Sequence, residues 1–311
     1  MKDAKGKKVV RFLDKLVDFL VLVVLVLLIL VAGYAYYDTN SVHQSADKSQ
    51  FQMYKPTEEN TETFEELVAI NPDVMGWLTL YDTGIDYPLV QSKVSNDEYL
   101  SLNAKREVTA SGSLFLDVRN KPDFSDFNTL VFGHHMSGGV MFGGIDKFAE
   151  QSFFDTHAYG NLFYGGKDHG LQILAFIEVD AYDNTIYTPG ISTAEGKLSY
   201  LHYIKGKATY FRNVEILPED HILVMSTCAP NATNGRTVLV AKILDYPVAN
   251  PFPEDEKNTG TGIDVVKLTE WLKRCPKWLW MLLLLLFILL IYFVSRLLGN
   301  RRRENDDETH T

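Results

Sequence analysis

The chain has 311 residues and a formal net charge of −10 at pH 7, so it is long enough for one sizeable domain with appendages. Its aromatic share of 12% excludes a disordered polypeptide, and its acidic balance argues against nucleic acid as the main partner. The sequence has no cysteine–histidine cluster with zinc spacing and no dinucleotide or phosphate loop, so we expect no cofactor.

Two uncharged apolar segments lie near the two ends of the chain. The first reads FLVLVVLVLLILVAGYAYY (residues 19–37), and the second reads WLWMLLLLLFILLIYFVS (residues 278–295). Each has about the length that crosses a hydrocarbon core of roughly 30 Å, so we predict transmembrane helices over residues 17–37 and 278–295. A cleaved signal peptide is the alternative for the first segment, with Ala35 at the small-residue cleavage site.

Basic residues indicate how these two segments are oriented. The residues before the first segment include Lys2, Lys5, Lys7, Lys8, Arg11 and Lys15, and those after the second include Arg296, Arg301, Arg302 and Arg303. Because basic flanks stay in the cytoplasm, we predict a protein of the cell membrane with cytoplasmic tails at 1–16 and 296–311. Lys273, Arg274 and Lys277 make this bias weaker for the second segment. The region between the spans is then extracytoplasmic.

The polar, unpatterned residues 38–60 predict a stalk, and a short helix over 61–70 follows it, because apolar residues recur there at helical spacing. From Trp77 the apolar period changes to two, which is typical of strands. Segments with this pattern are residues 77–92, 110–120, 128–136, 161–166, 170–182, 208–214, 221–228 and 237–246.

Few helices interrupt these strands. Residues 138–157 indicate a loop followed by a short helix, and residues 193–207 have apolar side chains at helical spacing before the final hairpin. Many short strands with few helices are typical of a closed or nearly closed β-barrel, so we predict a mainly β domain over residues 61–246. A linker and juxtamembrane segment, residues 247–277, then leads to the second span.

Cys228 is the first candidate for chemistry. The chain has two cysteines, and a bridge from Cys228 to Cys275 would pull the end of a strand onto the membrane, so we predict a free thiol. Cys228 ends the strand HILVMSTC and is followed by APNATNG, at a point where a side chain can reach a cleft. A thiolate there is a nucleophile, whereas the alternative is a small, inert core residue.

A nucleophilic cysteine needs a partner for proton transfer. His134 and His135 follow a strand in LVFGHHMSGG, directly before a loop of small residues. The other histidines lie in the predicted stalk or tail, on a helix stripe, or in loops without a partner signal: His43, His157, His169, His202, His221 and His310. The pair at the strand end is therefore the preferred source of the proton-transfer group.

Arg236 opens the strand after Cys228 and lies eight residues further along the chain. A strand, a turn and a second strand would return it close to the cysteine. Its guanidinium could stabilise an oxyanion or hold a substrate carbonyl there. The alternative is a solvated arginine of the turn.

Three motifs, NTLVFGHHM, VMSTCAP and GRTVLVAKI, together resemble the sortases, the cysteine transpeptidases of Gram-positive bacterial surfaces. The T-L-x-T-C signature of that family is matched by Val224-Met225-Ser226-Thr227-Cys228, whose first two positions depart from it but remain apolar. The resemblance covers roughly residues 62–245. INPDVMGWLTLYDTGIDYPLVQ, SGSLFLDVRN and the helix at 193–207 are similar to class B sortases in particular.

This resemblance implies a closed eight-stranded β-barrel with short peripheral helices. It also implies that Cys228 is the nucleophile, His134 the catalytic histidine and Arg236 the catalytic arginine. His135 matches a variable position after the histidine. We predict that Ser226, Thr227 and His135 bind substrate.

The second apolar segment departs from the usual class B pattern and is more similar to the pilin-polymerising class C enzymes. Class C enzymes also carry a lid with a D-P-aromatic motif, which this sequence lacks, and the GHHM segment differs from theirs. We therefore predict a class B-like core with an additional C-terminal span.

The expected reaction is cleavage of an LPxTG- or NPxT-like sorting motif near the C-terminus of a surface protein or pilin. A thioacyl intermediate on Cys228 would then be resolved by an amine of a cell-wall precursor or a pilin lysine. A hydrolytic cysteine peptidase with the same three residues is the first alternative. A non-catalytic, membrane-anchored scaffold with the same fold is the second.

Overall fold

The computed structural model describes residues 2–57, 61–229 and 233–252, and near the C-terminus residues 281, 284–285, 287–292 and 294–295. The chain divides into two compact units, one of residues 1–41 with 260–311 and one of residues 42–259.

The N-terminal unit contains most of helix α1, which runs over Lys2–Ser45. Within the described residues, the stretch Phe12–Ser45 of this helix is long and apolar enough to cross a membrane. The second predicted span, residues 278–295, lies largely outside the described residues. Those of its positions that are described are helical.

The second unit is built mainly from strands. Its helices are α2 (Glu62–Ile70), α3 (Gln151–Thr156) and α4 (Ala194–Lys207), with 3-10 helices at Lys48–Gln50, Gln52–Tyr54, Glu98–Leu100, Ser137–Gly139 and Phe142–Ala149. Its strands are β1 (Val74–Leu80), β2 (Asp86–Val90), β3 (Leu114–Leu116), β4 (Asn128–Phe132), β5 (Tyr159–Tyr164), β6 (Lys167–Asp180), β7 (Ala208–Phe211), β8 (His221–Cys228) and β9 (Gly235–Ile243).

Eight of these strands close into a barrel in the order β1-β2-β3-β4-β8-β9-β6-β5, with β5 returning to β1. The predicted closed eight-stranded barrel with short helices is therefore confirmed. β7 is an additional strand outside the ring. β7 can pair with β6 because β6 is long. The first part of β6 pairs with β5, and its residues 175–177 pair with β7.

The strands alternate in which face their side chains use, and each face is buried. One face of β8 and β9 contributes Met225 and Leu239 to the main core inside the barrel. The opposite face contributes Val224 and Val238 to a second cluster, which Ile204 of α4 covers. The strands that carry the site are therefore fixed from both sides.

Residues of the predicted stalk and linker contact the barrel. Ala46, Phe51 and Tyr54 are buried in the main core, although they fall within the segment 38–60. At the other end, the hydroxyl of Tyr81 donates a hydrogen bond to the carbonyl of Val248 at 2.6 Å. Isolated aromatic residues in a polar segment carry no periodic pattern, which is why their packing was not predicted.

Candidate active site

The parallel pairing of β4 with β8 brings His134 and Cys228 to the same end of the barrel. Phe132 lies opposite Ser226 in this register, so each candidate residue lies two positions beyond a paired one. The backbone NH of Gly133 continues the pairing by donating to the carbonyl of Ser226. Parallel neighbours end at the same edge of a sheet, which places the two side chains together although they are far apart in the chain.

Arg236 lies directly opposite Cys228 in the antiparallel pair of β8 and β9. Directly opposed residues share one face, with Cβ atoms about 5 Å apart. The guanidinium donates a hydrogen bond to the carbonyl of Gly235 at 3.0 Å, and the Cys228 thiol is free and exposed. The strand register thus places Arg236 next to Cys228, as the sequence predicted.

All three predicted catalytic residues, His134, Cys228 and Arg236, line one cleft of about 410 Å³. Its other described walls combine apolar rings and short polar side chains, namely Asn96, Asp97, Leu100, Phe115, Phe132, Gly133, Ser226 and Thr227. A cleft of this size and mixed polarity suits a short extended peptide.

The imidazole of His134 is held by a backbone carbonyl. Its Nε2 lies 2.8 Å from the carbonyl oxygen of Leu100. A carbonyl only accepts hydrogen bonds, so Nε2 carries the proton and donates it. The contact engages Nε2, so Nδ1 is the ring nitrogen that remains available to other groups.

The turn that presents the Leu100 carbonyl is itself anchored in the core. The buried hydroxyl of Tyr99 donates a hydrogen bond to Asp73 at 2.8 Å, and Arg106 bridges Asp73 and Glu98. Burial, together with the hydrogen bond to Asp73, raises the pKa of Tyr99 to about 12. Tyr99 therefore remains a neutral donor over the physiological range.

Two predicted substrate-binding residues, Ser226 and Thr227, line the cleft but use their hydroxyls within the protein. Thr227 donates to the carbonyl of Gly133 at 2.8 Å, and the Ser226 hydroxyl lies 2.9 Å from that of Tyr187. Both side chains are almost fully buried. The Thr227 bond ties the end of β8 to the loop that carries the histidines.

His135, the third predicted substrate-binding residue, is not among the described residues that line the cleft. Its Nε2 is hydrogen-bonded to the carboxylate of Asp146, in the 3-10 helix Phe142–Ala149, at 2.5 Å. His135 forms an isolated β-bridge with Met141, and successive side chains of a bridged backbone point to opposite sides. The structure thus separates the two adjacent histidines into different environments.

The described residues contain no group of three or more histidine, cysteine, aspartate or glutamate side chains that could hold a metal ion.

Two curated proteins are similar to this chain over most of their length. Sortase B of Listeria monocytogenes is 35% identical over 181 residues, which are 58% of this chain and 73% of that protein. Sortase B of Staphylococcus aureus is 31% identical over 235 residues, which are 72% of this chain and 96% of that protein.

The chain belongs to the sortase family.

Solved structures agree with this assignment. A crystal structure of sortase B from the type II pilus of Streptococcus pneumoniae superposes with a TM-score of 0.52 at 46% sequence identity, covering 59% of this chain and 99% of that one. No protein-family model matches the chain. The sortase described here is accordingly a cysteine transpeptidase, as its sequence predicted.

The sequence analysis of this sortase missed Tyr187, which lies between β6 and α4. Its ring centroid is 6.1 Å from that of Phe132 in the cleft wall, and its hydroxyl meets Ser226. Burial raises the pKa of Tyr187, against the opposing effects of the Ser226 hydrogen bond and the nearby charge of Arg236. Tyr187 lies in an irregular segment without hydrophobic periodicity. Only its contacts in the structure identify it as a neighbour of the cleft.

Proposed function

We propose that this sortase is anchored in the membrane and cleaves a C-terminal sorting motif of a surface protein or pilin. It then transfers the shortened protein to an amine of a cell-wall precursor or of a pilin. The observation that supports this proposal is the meeting of Cys228, His134 and Arg236 in one cleft. The motif is of the LPxTG or NPxT type.

In the first half-reaction, the Sγ atom of Cys228 attacks the threonine carbonyl of the sorting motif. The Nδ1 atom of His134 accepts the thiol proton and delivers it to the amine that leaves. Arg236, directly across the strand pair, stabilises the negative charge on the carbonyl oxygen or aligns the peptide. The products are a thioacyl enzyme and the released C-terminal peptide.

In the second half-reaction, a neutral amine attacks the thioester carbonyl. A C–N bond forms, the C–S bond breaks, and the proton lost by the amine returns to the Cys228 sulfur through His134. Water in place of the amine would give hydrolysis, so the acceptor decides between transfer and cleavage. The similarity to a pilus sortase supports a pilin as one of the two acceptor sources.

The anchor is the N-terminal helix α1, whose stretch Phe12–Ser45 is long and apolar enough to span a membrane. We place the catalytic domain, residues 61–246, outside the cytoplasm and both termini inside. Residues 278–295 supply the second span in this arrangement. Anchoring would keep the cleft near the membrane, where both substrates emerge, and so raise their effective concentration.

The test uses the full-length protein in detergent with a panel of LPxTG- and NPxT-type peptides, with and without an amine acceptor. Mass spectrometry would identify the products, and Cys228→Ala is the matched control. We expect amine-dependent ligation that the Cys228→Ala variant lacks. Cleavage that never transfers to an amine would identify a hydrolytic peptidase, and the absence of any thioacyl adduct would contradict the proposal.

A further inference from the structure

A second cleft, of about 820 Å³, adjoins the candidate active site. It lies between the ends of β6 and β9 and the 3-10 helix Phe142–Ala149. Arg236 lines both clefts, so this residue lies at their common boundary. We call this second space the acidic cleft.

Carboxylates are the most numerous charged side chains in the described lining of the acidic cleft. Four carboxylate residues, Asp146, Glu178, Asp180 and Asp183, line it together with two cationic residues, Lys207 and Arg236. Three of the carboxylates have partners within the protein: Asp146 contacts His135, Asp183 accepts from a tyrosine hydroxyl, and Asp180 accepts from the backbone NH of Tyr182. Glu178 and Asp180 are exposed. Counted together, the four carboxylates outnumber the two cationic side chains by two, an excess of negative charge that can attract a cation.

The acidic cleft also contains a buried hydroxyl without a partner. The Oγ1 atom of Thr237 makes no hydrogen bond within the part of the chain that the structure describes, and the residue is 3% exposed. Thr237 lies directly opposite Glu178 in the β6–β9 register, so both side chains occupy the same face and both line the cleft. An unpaired buried hydroxyl is costly, and a polar ligand group in the cleft would satisfy it.

The carboxylates are spread along the cleft instead of converging on one point. No described group of three or more acidic or histidine side chains could hold a metal ion. A dispersed set of negative charges in a cleft of this volume suits an extended organic cation with several contact points.

We propose that the acidic cleft binds the amine acceptor of the second half-reaction, a peptide that carries primary ammonium groups. This inference rests on the proposed transpeptidase function and assigns a binding site to its second substrate. The donor peptide occupies the cleft with Cys228, and the acceptor approaches from the opposite side of Arg236. Glu178 and Asp180 attract the ammonium groups, and the Thr237 hydroxyl contacts a polar group of the acceptor.

The boundary position of Arg236 has a chemical consequence for the acceptor. Carboxylates favour the charged ammonium, whereas a neighbouring guanidinium disfavours it. An ammonium that moves from Glu178 toward Arg236 therefore loses one proton to solvent water more readily. The neutral nitrogen then forms the C–N bond at the thioester carbonyl, the C–S bond breaks, and the second amine proton passes through His134 to the Cys228 thiolate.

The test measures the acceptor KM of the full-length protein in detergent, with a donor peptide at saturation. The variants are Glu178→Gln, Glu178→Lys and Thr237→Val, and the matched control is Glu219→Gln, an exposed carboxylate in the turn before β8, at the end of that strand opposite to Cys228. We expect Glu178→Gln to raise the acceptor KM about two- to fivefold, as the loss of one exposed charge does, and Glu178→Lys to raise it further. The donor KM and the hydrolysis rate without acceptor stay unchanged.

Thr237→Val separates a binding role from a structural one. If the hydroxyl meets the acceptor, the acceptor KM rises while the melting temperature stays constant or increases, because an unpaired buried hydroxyl is removed. A lower melting temperature with an unchanged acceptor KM would contradict the assignment.

Two probe acceptors distinguish the source of the amine: an N-acetylated lysine peptide for a pilin side chain, and triglycine for a terminal amine of a cell-wall peptide. A raised KM for either probe in the Glu178 variants supports the acidic cleft as the acceptor site. The probe whose KM rises indicates whether the amine comes from a pilin side chain or from a cell-wall peptide. Transfer with unchanged acceptor KM in both Glu178 variants overturns the inference and leaves the proposed function intact. A wild-type protein that forms no thioacyl adduct overturns the function itself and, with it, the inference.

Discussion

The carbonyl oxygen of Leu100 accepts a hydrogen bond from Nε2 of His134 at 2.8 Å. Because a carbonyl only accepts hydrogen bonds, this contact places a proton on Nε2. It also couples the candidate active site to the 3-10 turn Glu98–Leu100, and through Tyr99 to the buried Asp73. The support of this turn therefore bears on the position of the His134 imidazole.

Tyr99→Phe tests this support. The change removes a hydroxyl that donates to Asp73 and leaves that buried carboxylate with one partner fewer, so we expect a loss of about 1–3 kcal/mol in the free energy of unfolding. We also expect a lower kcat, because the Leu100 carbonyl moves relative to His134. Urea unfolding and transpeptidation kinetics measure the two effects. Tyr182→Phe, at an exposed position, is the control. An unchanged kcat in a destabilised Tyr99→Phe protein would show that the turn does not position His134.

Arg236→Lys tests the geometry of the guanidinium against its charge. Lysine keeps the positive charge, but it lacks the planar fork of donors that can hold a carbonyl oxygen in a defined place. We expect kcat to fall about 100-fold, the usual cost of losing an oxyanion donor, while labelling of the Cys228 thiol by a small alkylating reagent continues. A variant with nearly full kcat would mean that Arg236 contributes only charge.

Asp86→Asn tests how residues 42–57 are fixed to the barrel. The Asp86 carboxylate accepts hydrogen bonds from Trp77 and Thr79 of β1 and pairs with Lys55. Burial by itself would raise the pKa of Asp86, but Lys55 and the hydrogen bonds outweigh it, so the pKa lies below 3.8. We expect Asp86→Asn to speed hydrogen exchange around Phe51. Glu65→Gln, on the exposed side of α2, should not do so.

The lowered pKa of Asp86 also predicts that the folded protein loses stability in acid. Because the folded state holds the Asp86 proton more weakly than the unfolded state, the stabilisation is fully present above pH 3.8 and is lost as the pH falls through the folded value. Urea unfolding of the wild type between pH 5 and pH 3 should show this loss, and the Asp86→Asn variant should show a smaller one. If the free energy of unfolding of the two proteins showed the same pH dependence, Asp86 would not be the source of the loss of stability.

Two buried tyrosines predict that the folded protein also loses stability at alkaline pH. Burial raises the pKa of Tyr87 to about 12 and that of Tyr99 to about 12, from an ordinary value of 10.0. The unfolded chain therefore releases these protons first, and the free energy of unfolding should fall as the pH rises from 10 toward 12. Urea unfolding across this range measures the slope. Tyr87→Phe should show a shallower slope, and an unchanged slope would assign the effect to other groups.

Much of this fold was predictable because it follows from local patterns. The period of two in segments such as 221–228 and 237–246 predicted the strands, and their number predicted the barrel, because each strand must bury one apolar face. The order of the motifs around His134, Cys228 and Arg236 predicted a sortase. Their catalytic roles stay predictions that the kinetic tests decide.

The sequence by itself determined the barrel, the family and three candidate side chains, because periodicity and residue identity are local properties. Only the tertiary structure decided that β4 and β8 pair in parallel, that the Leu100 carbonyl selects the His134 tautomer, and that His135 faces Asp146 instead of the cleft. It also decided that the acidic cleft adjoins Arg236. A backbone carbonyl has no residue-type signature, and a cleft forms from side chains distant in the chain, so neither leaves a pattern that a sequence can show.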